Sequence, residues 1–182
     1  MGKQLIFILG GARSGKSAYA QQLAQGLAGD SVVYIATAEA GDDEMHDRIA
    51  AHRRGRPAGW RTVEAPRLAG LDLAAAIGGA RVVLLDCVTL LASNAVIAAG
   101  DDADSDTAAA AAGREMDALL EAYSGGSATW IVISNEVGMG LVPPYPLGRI
   151  YRDALGHANQ QIAAAAGRVL LMVAGLPWEL KK

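Results

Sequence analysis

The sequence has one cysteine, few aromatic residues and no long hydrophobic run. Cys87 has no partner for an intrachain disulfide, and no set of cysteines and histidines has the spacing of a metal site. No apolar run reaches the roughly 18–20 residues of a membrane span. A net charge of −3, without a basic stretch carrying aromatic residues, argues against nucleic-acid binding. We therefore expect a cytoplasmic protein with no membrane span and no nucleic-acid partner.

Alanine is abundant, with runs at 74–76, 108–112 and 163–166. Because alanine is the strongest helix former, much of the 52% hydrophobic content is expected on helix surfaces rather than in an unusually apolar core. A length of 182 residues is enough to bury a core and fits one domain. We assign residues 1–182 to a single domain.

Short apolar runs alternate with helical patterns along the chain. The runs are apolar on both faces. This predicts that they are strands of a sheet which helices cover on both sides. The predicted strands are Leu5–Leu9, Val32–Ala36, Val82–Asp86, Thr129–Ser134 and Val169–Val173. Helices are predicted over about 16–27, 43–54, 107–123 and 147–166. This alternation predicts an α/β fold with a mostly parallel sheet.

Residues 10–17 read GGARSGKS, an instance of G-x-x-x-x-G-K-[ST]. The motif follows a predicted strand and precedes a predicted helix, which is the context that a phosphate-binding loop (P-loop) requires. Its glycines let backbone N–H groups converge on phosphate oxygens, and the helix N-terminus adds partial positive charge. We expect Lys16 to bind the β- and γ-phosphates and Ser17 to ligate Mg²⁺. An ordinary glycine-rich turn is the alternative.

Asp86 ends a predicted strand after four apolar residues. P-loop enzymes use a carboxylate in such a place to complete the shell of Mg²⁺, so Asp86 is a candidate ligand. The alternative is an aspartate that caps the following segment. Nucleotide binding by itself leaves kinase, ATPase, GTPase and nucleotidyltransferase activities open.

Residues 42–57 read DDEMHDRIAAHRRGRP. Acids at the front and arginines at the back mark the predicted helix, on which Met45, Ile49 and His52 share one face. Arginines beside His52 would hold polyphosphate and disfavour the imidazolium, leaving a neutral nitrogen able to attack phosphorus. From the pattern alone, a histidine that packs against its apolar stripe is the more common case.

Six segments, taken in order, resemble one known family. They are GGARSGKS, YIATA, DDEMHDRIAAHRRGRPAGWRTVE, LLDCVTLLASN, SNEVGMGLVP and RDALGHANQ. Together they look like the bifunctional adenosylcobinamide kinase / adenosylcobinamide-phosphate guanylyltransferase of cobalamin biosynthesis, from about residue 10 to 177. The H-R-R-G-R-P-x-x-W-x-T-x-E and N-E-V-G-x-G-x-V-P segments are far more specific than the P-loop.

The resemblance implies a transferase with two reactions and a P-loop NTPase (RecA-like) fold. First, ATP or GTP gives its γ-phosphate to the aminopropanol hydroxyl of adenosylcobinamide. A histidine then attacks the α-phosphorus of GTP, releases pyrophosphate and holds GMP covalently. Adenosylcobinamide phosphate takes that GMP, which gives adenosylcobinamide-GDP. A homotrimer with substrate sites between subunits is also implied; a single-function P-loop kinase is the alternative.

By the same resemblance, the catalytic residue is His52, whereas His46 lies off the motif and is expected on the surface. The implied nucleotide-binding residues are Gly10, Gly11, Ala12, Arg13, Ser14, Gly15, Lys16, Ser17, Ala36, Thr37, Ala38, Arg53, Arg54, Gly55, Arg56, Glu64 and Asp86. Mg²⁺ is the implied cofactor, held by Ser17 and Asp86. Glu64 suits a guanine edge or a ribose, and a solvated acid at a strand edge is its alternative.

The loop Asn135–Gly140 follows a predicted strand, and by analogy we expect it near the transferred phosphate or the corrinoid substrate. Pro146 and His157 stand where relatives often carry arginine, while Arg149, Arg152 and Asp153 still match. If the missing arginines serve the substrate, the change affects corrinoid affinity and not the nucleotide chemistry. A switch GTPase is disfavoured because the sequence has no guanine-reading N-K-x-D motif.

Overall fold

A computed structural model describes residues 2–39, 55–100 and 102–182 of the protein, which are built around a seven-stranded sheet. The strands are β1 (Leu5–Gly10), β2 (Val32–Ala36), β3 (Arg61–Glu64), β4 (Val82–Asp86), β5 (Thr129–Ile133), β6 (Arg168–Val173) and β7 (Leu176–Lys181). Their order across the sheet is β3-β2-β4-β5-β1-β6-β7. β7 pairs antiparallel with β6, and the other neighbouring pairs are parallel.

Helices cover both faces of this sheet. They are α1 (Lys16–Ala28), α2 (Leu73–Ile77), α3 (Val88–Ala98), α4 (Ser105–Gly125) and α5 (Pro146–Ala165). Because side chains alternate along a strand, Ile6 and Ile8 of β1 face the core under α1, whereas Leu5 and Phe7 face the core under α2–α5. The predicted α/β fold, a mostly parallel sheet with helices on both faces, is confirmed.

Alanines form part of the contact between helices and sheet. On α1, Ala20, Ala24 and Ala28 recur every fourth residue and are buried against the sheet. On α4, Ala108 and Ala112 are buried in the opposite core. The expectation that alanine mainly covers exposed helix surfaces is therefore wrong at these positions, where a small side chain lets the helix pack closely on the strands.

All five predicted strands are present, with ends that differ by at most one residue. Two further strands and two helices, β3, β7, α2 and α3, were not predicted. The sequence of α3, VTLLASNAVIA, is apolar around most of its circumference and so lacks a helical period. β7 contains Pro177, which an outer strand tolerates because, among the described strands, only β6 pairs with it. The helix predicted over 43–54 lies outside the described residues.

The carboxyl ends of four neighbouring strands are in register. Glu64 of β3 pairs with Ala36 of β2, which on its other side pairs with Asp86 of β4. Asp86 in turn pairs with Ile133 of β5. Neighbouring strands lie about 4.8 Å apart, so Glu64 and Asp86 come within about 10 Å along this edge. Ligands of open α/β sheets bind at this edge.

In the part of the chain that the structure describes, no helix is long and apolar enough to cross a membrane.

Candidate functional site

The P-loop at residues 10–17 joins β1 to α1, as the sequence predicts. Gly15 precedes the helix with a φ of 94°. A Cβ at Gly15 would lie 3.1 Å from the Cα of Gly175, and one at Gly10 would lie 2.7 Å from the carbonyl oxygen of Met172. Glycine is therefore needed at both positions, because the backbone of another segment occupies the space of a side chain.

Two other segments hold the backbone of this loop. The tight turn between β6 and β7 has positive φ at Ala174 (52°) and Gly175 (82°), and the N–H of Gly175 donates to the carbonyl of Ser14 at 3.0 Å. After β5, the N–H of Glu136 donates to the carbonyl of Gly10 at 3.1 Å. The loop is thus fixed at its start and its middle by residues far away in the sequence.

Lys16, the first residue of α1, is 7% exposed and folds back over the loop. Its Nζ donates to the carbonyl of Gly11 at 2.6 Å. Burial lowers the pKa of Lys16, while the neighbouring Cys87 and Asp86 act in the opposite direction. A buried ammonium gains most from an anion, so this position favours a phosphate.

Asp86 lies at the end of β4 and accepts a hydrogen bond from the hydroxyl of Tyr34, with 2.7 Å between the Tyr34 oxygen and Oδ2. Burial and the Asp86 carboxylate both raise the pKa of Tyr34, which keeps that hydroxyl protonated and able to donate. Asp86 lines the same pocket as Ser17. A carboxylate and a hydroxyl are oxygen donors of the kind that Mg²⁺ takes, so this donor set fits the metal.

Arg56 also contacts Tyr34. Its Cζ is 3.6 Å from the centre of the Tyr34 ring, and its Nη1 donates to Thr62 Oγ1 at 3.3 Å. Among the described residues, the buried Nε of Arg56 has no hydrogen-bond partner. The guanidinium therefore still has a donor to offer to a ligand.

Thr37 ties the end of β2 to the start of α3. Its Oγ1 donates to the carbonyl of Cys87 at 2.7 Å and accepts from the N–H of Cys87 at 2.8 Å. Asn94 Nδ2 donates to the carbonyl of Thr37 at 2.9 Å. The peptide bond between Asp86 and Cys87 is cis. The fully buried side chain of Thr37 thus holds the backbone next to Asp86.

These elements enclose a pocket of about 640 Å³, within the size range of small-molecule sites. Eleven of the predicted nucleotide-binding residues line it: Ala12, Arg13, Ser14, Gly15, Lys16, Ser17, Ala36, Ala38, Arg56, Glu64 and Asp86. Four others are described but are not among its lining residues: Gly10, Gly11, Thr37 and Gly55. His52, Arg53 and Arg54 lie outside the described residues, as does His46.

The pocket also contains residues that were not predicted. These are Ala18, Tyr34, Cys87, Thr89, Leu90 and Ile133. Tyr34 carries a usable signal, because it lies two positions before Ala36 and so shares its face of β2. Asn135, from the loop predicted to lie at the site, lines the pocket, and its N–H donates to Thr89 Oγ1 at 2.8 Å.

Comparisons with known proteins agree with one another. A family described as cobinamide kinase / cobinamide phosphate guanyltransferase matches residues 6–180. The bifunctional adenosylcobalamin biosynthesis protein CobU of Escherichia coli (strain K12) is 44% identical, over 97% of this chain and 99% of the relative. The corresponding protein CobP of Pseudomonas aeruginosa is 45% identical, over 96% of this chain and 95% of the relative.

A solved structure, the flagellar accessory protein FlaH from Methanocaldococcus jannaschii, is similar with a TM-score of 0.50 and 17% identity. The match covers 99% of this chain and 79% of that one. At this identity the likeness concerns the fold alone.

Proposed function

The chain belongs to the cobinamide kinase / cobinamide phosphate guanyltransferase family, and we propose that it performs both transfers at the pocket of the P-loop, within one domain. The family resemblance read from the sequence is confirmed, and the chain is a transferase. One observation carries the proposal about the site: the P-loop, Arg56, Glu64 and Asp86 line one pocket. That pocket combines phosphate-binding donors with the carboxylate expected of a P-loop enzyme.

In the first reaction, the aminopropanol hydroxyl of adenosylcobinamide attacks the γ-phosphorus of ATP or GTP. The bond from the γ-phosphorus to the bridging oxygen breaks, the nucleoside diphosphate leaves, and the hydroxyl proton is released. The backbone N–H groups of the P-loop and Lys16 hold the phosphates and stabilise the charge that develops on them. Lys16 is pre-placed for this role by its bond to the Gly11 carbonyl.

In the second reaction, a ring nitrogen of His52 attacks the α-phosphorus of GTP and pyrophosphate leaves. A phosphate oxygen of adenosylcobinamide phosphate then displaces His52, so that the P–N bond breaks and adenosylcobinamide-GDP forms. His52 precedes Arg56 by four positions in the sequence, and Arg56 lines the pocket. This connection, together with the family motif, supports His52 as the nucleophile, and the flanking Arg53 and Arg54 as phosphate-binding residues.

Ser17 and Asp86 would hold Mg²⁺, which when bound neutralises phosphate charge. Among the described residues, no cluster of three or more histidine, cysteine or acidic side chains could hold a metal by itself. The remaining positions around Mg²⁺ are therefore expected to be filled by nucleotide phosphates and water.

The corrinoid substrate is proposed to bind beside the loop that follows β5. Asn135 of this loop lines the pocket, while Met139 and Leu141 further along are 82% and 96% exposed. Exposed apolar side chains that follow a pocket-lining residue in the same loop suit a large substrate that carries a single hydroxyl to be phosphorylated.

A homotrimer in the cytoplasm is proposed from the family resemblance. Leu176, Trp178 and Leu180 of β7 are each more than half exposed, and such a row on an outer strand supports contact between subunits. The single cysteine, Cys87, is a free thiol, which suits a reducing compartment.

The guanylyltransferase step is tested by incubating the protein with GTP labelled at the α-phosphate. We expect a covalent adduct that is labile in acid and stable in base, as a phosphoramidate is. His52→Ala should lose the adduct while it keeps measurable kinase activity. His46→Ala, a matched change in the same segment, should keep both.

Absence of the adduct in the unmodified protein would leave a single-function kinase. Loss of the adduct in His46→Ala but not in His52→Ala would identify His46 as the nucleophile.

A further inference from the structure

Tyr34 contacts two oppositely charged side chains of the pocket, Asp86 and Arg56. We infer that Tyr34 is a positioning residue, which orients Asp86 for the metal through its hydroxyl and Arg56 for the nucleotide phosphates through its ring. This inference rests on the proposed nucleotide and Mg²⁺ site. Tyr34 is the first residue of the YIATA segment, and the inference gives it a role that neither the family resemblance nor the P-loop assigns.

The position of Tyr34 is fixed by the sheet. Its backbone lies in the middle of β2, in register with Thr62 of β3 and Leu84 of β4. The residue is 1% exposed and packs in the core under α1. A side chain held in this way can impose its own position on groups that contact it.

The hydroxyl of Tyr34 sets the orientation of Asp86. It donates to Oδ2 at 2.7 Å, and a tyrosine buried in the core cannot turn this hydroxyl away. A hydrogen bond to a ligating carboxylate restricts its rotation, which lowers the cost of orienting it when the metal binds. Removing the hydroxyl should therefore weaken metal binding without changing the charges of the pocket.

The ring of Tyr34 sets the position of Arg56. The guanidinium carbon is 3.6 Å from the ring centre, a stacked cation–π contact. In such a stack the N–H donors at the edge of the guanidinium remain able to bind phosphate, and among the described residues the Nε of Arg56 has no other partner. Removing the ring should therefore weaken nucleotide binding even without metal.

Two substitutions separate these contacts. Tyr34→Phe removes the hydroxyl and keeps the ring, whereas Tyr34→Leu removes both. Tyr123 offers matched controls, because its ring also contacts a cation, with Lys3 Nζ 4.5 Å from the ring centre. Lys3 precedes β1, at the end of the sheet opposite to the P-loop.

The experiment uses the α,β-methylene analogue of GTP, which resists attack at the α-phosphorus. Its affinity is measured by calorimetry in EDTA, and the affinity of the analogue-loaded protein for Mn²⁺ is measured by electron paramagnetic resonance. We expect Tyr34→Phe to bind Mn²⁺ roughly 10-fold more weakly. Its affinity for the analogue in EDTA should fall less than that of Tyr34→Leu, because Arg56 keeps its stack on the ring. Tyr34→Leu should show the same loss for Mn²⁺ and roughly 5-fold weaker binding of the analogue.

Tyr123→Phe and Tyr123→Leu should leave both affinities unchanged, and thermal unfolding identifies any variant that does not fold. If the unmodified protein binds analogue and Mn²⁺ while Tyr34→Phe equals it for Mn²⁺, the inference is overturned and the proposed function stands. Equal losses of both affinities in Tyr34→Phe and Tyr34→Leu also overturn it, since they indicate a general packing role. If the unmodified protein binds neither probe, the proposed function itself fails.

Discussion

Glu115 is fully buried on α4, and its hydrogen bonds show how the fold accommodates a carboxylate far from the pocket. It is paired with Arg67, and Oε2 accepts from the backbone N–H groups of Leu68 at 2.6 Å and of Ala69 at 2.9 Å. These bonds fix the segment between β3 and α2 onto α4. Breaking a buried ion pair by removing one partner leaves the remaining groups without compensation.

Glu115→Ala should therefore lower the free energy of unfolding by about 3 kcal/mol. Glu121→Ala, an exposed glutamate on the same helix, should change it by less than about 0.5 kcal/mol. Urea denaturation of the three proteins measures both changes. Equal stabilities of the two variants would contradict a structural role of the buried carboxylate.

Cys87 follows Asp86 at the pocket, where burial and the neighbouring carboxylate raise the pKa of its thiol from 9.0 to about 11. Because only the thiolate reacts with alkylating reagents, the native protein should react roughly 100-fold more slowly at pH 8 than an ordinary cysteine. The rate should keep rising with pH up to about 11.

The iodoacetamide reaction, followed by mass spectrometry against pH, tests this expectation. In urea the same cysteine should react faster, and its rate should level off near its ordinary pKa of 9.0. A native profile that levels off at the same pH as the unfolded one would contradict it.

At the scale of elements, a feature encoded by adjacent residues could be predicted from the sequence, whereas a feature that depends on distant residues could not. β1 and the P-loop are encoded by adjacent residues, so both were predicted from the sequence. Tyr34 was missed because its role depends on Asp86 and Arg56, which approach it only through the register of β2 and β4 and through the segment before β3. The alternation along β2 puts Tyr34 on the face of Ala36, but a single sequence contains no signal for its contacts with Asp86 and Arg56.

The contact between the P-loop and the β6–β7 turn yields a test at the level of elements. Gly15→Ala places a Cβ 3.1 Å from the Cα of Gly175 and requires an unfavourable positive φ of 94°. We expect loss of at least 10-fold in nucleotide affinity and a loss of about 1–2 kcal/mol in stability. Calorimetry and urea denaturation measure the two effects.

Gly26→Ala, in the helix α1 that follows Gly15, is the control. Nothing lies within 4 Å of a Cβ at Gly26 of α1, so this change should raise stability by about 0.5–1 kcal/mol and keep nucleotide affinity. Similar behaviour of both variants would show that the approach of the two backbones does not matter.

At the scale of the whole molecule, the proposed reactions are expected to share one nucleotide site and to run in turn. The P-loop motif occurs once in the sequence, and its residues line the pocket together with Glu64 and Asp86. A nucleotide that is bound for the kinase reaction should then keep GTP for the second reaction out of the site.

The β,γ-methylene analogue of ATP should accordingly inhibit formation of the GMP adduct competitively with GTP, and nucleotide should bind with a stoichiometry of one per chain. Lys16→Ala should lower both activities by at least 10-fold, because both need the same phosphate contacts. Lys3→Ala, at the opposite end of the sheet, serves as the control. Adduct formation that is insensitive to the analogue would indicate two separate nucleotide sites.

The bond from Gly175 to Ser14 has a consequence for synthesis on the ribosome. The P-loop is translated early, but β1 obtains its neighbours only from β5 and β6, and the support of Ser14 comes only with residue 175. At roughly 5–20 residues per second, a nascent chain carries the loop without its supports for on the order of ten seconds. During that time both edges of the apolar strand β1 lack their native partners, so the growing chain exposes a strand that can pair with other chains until β5 and β6 are made.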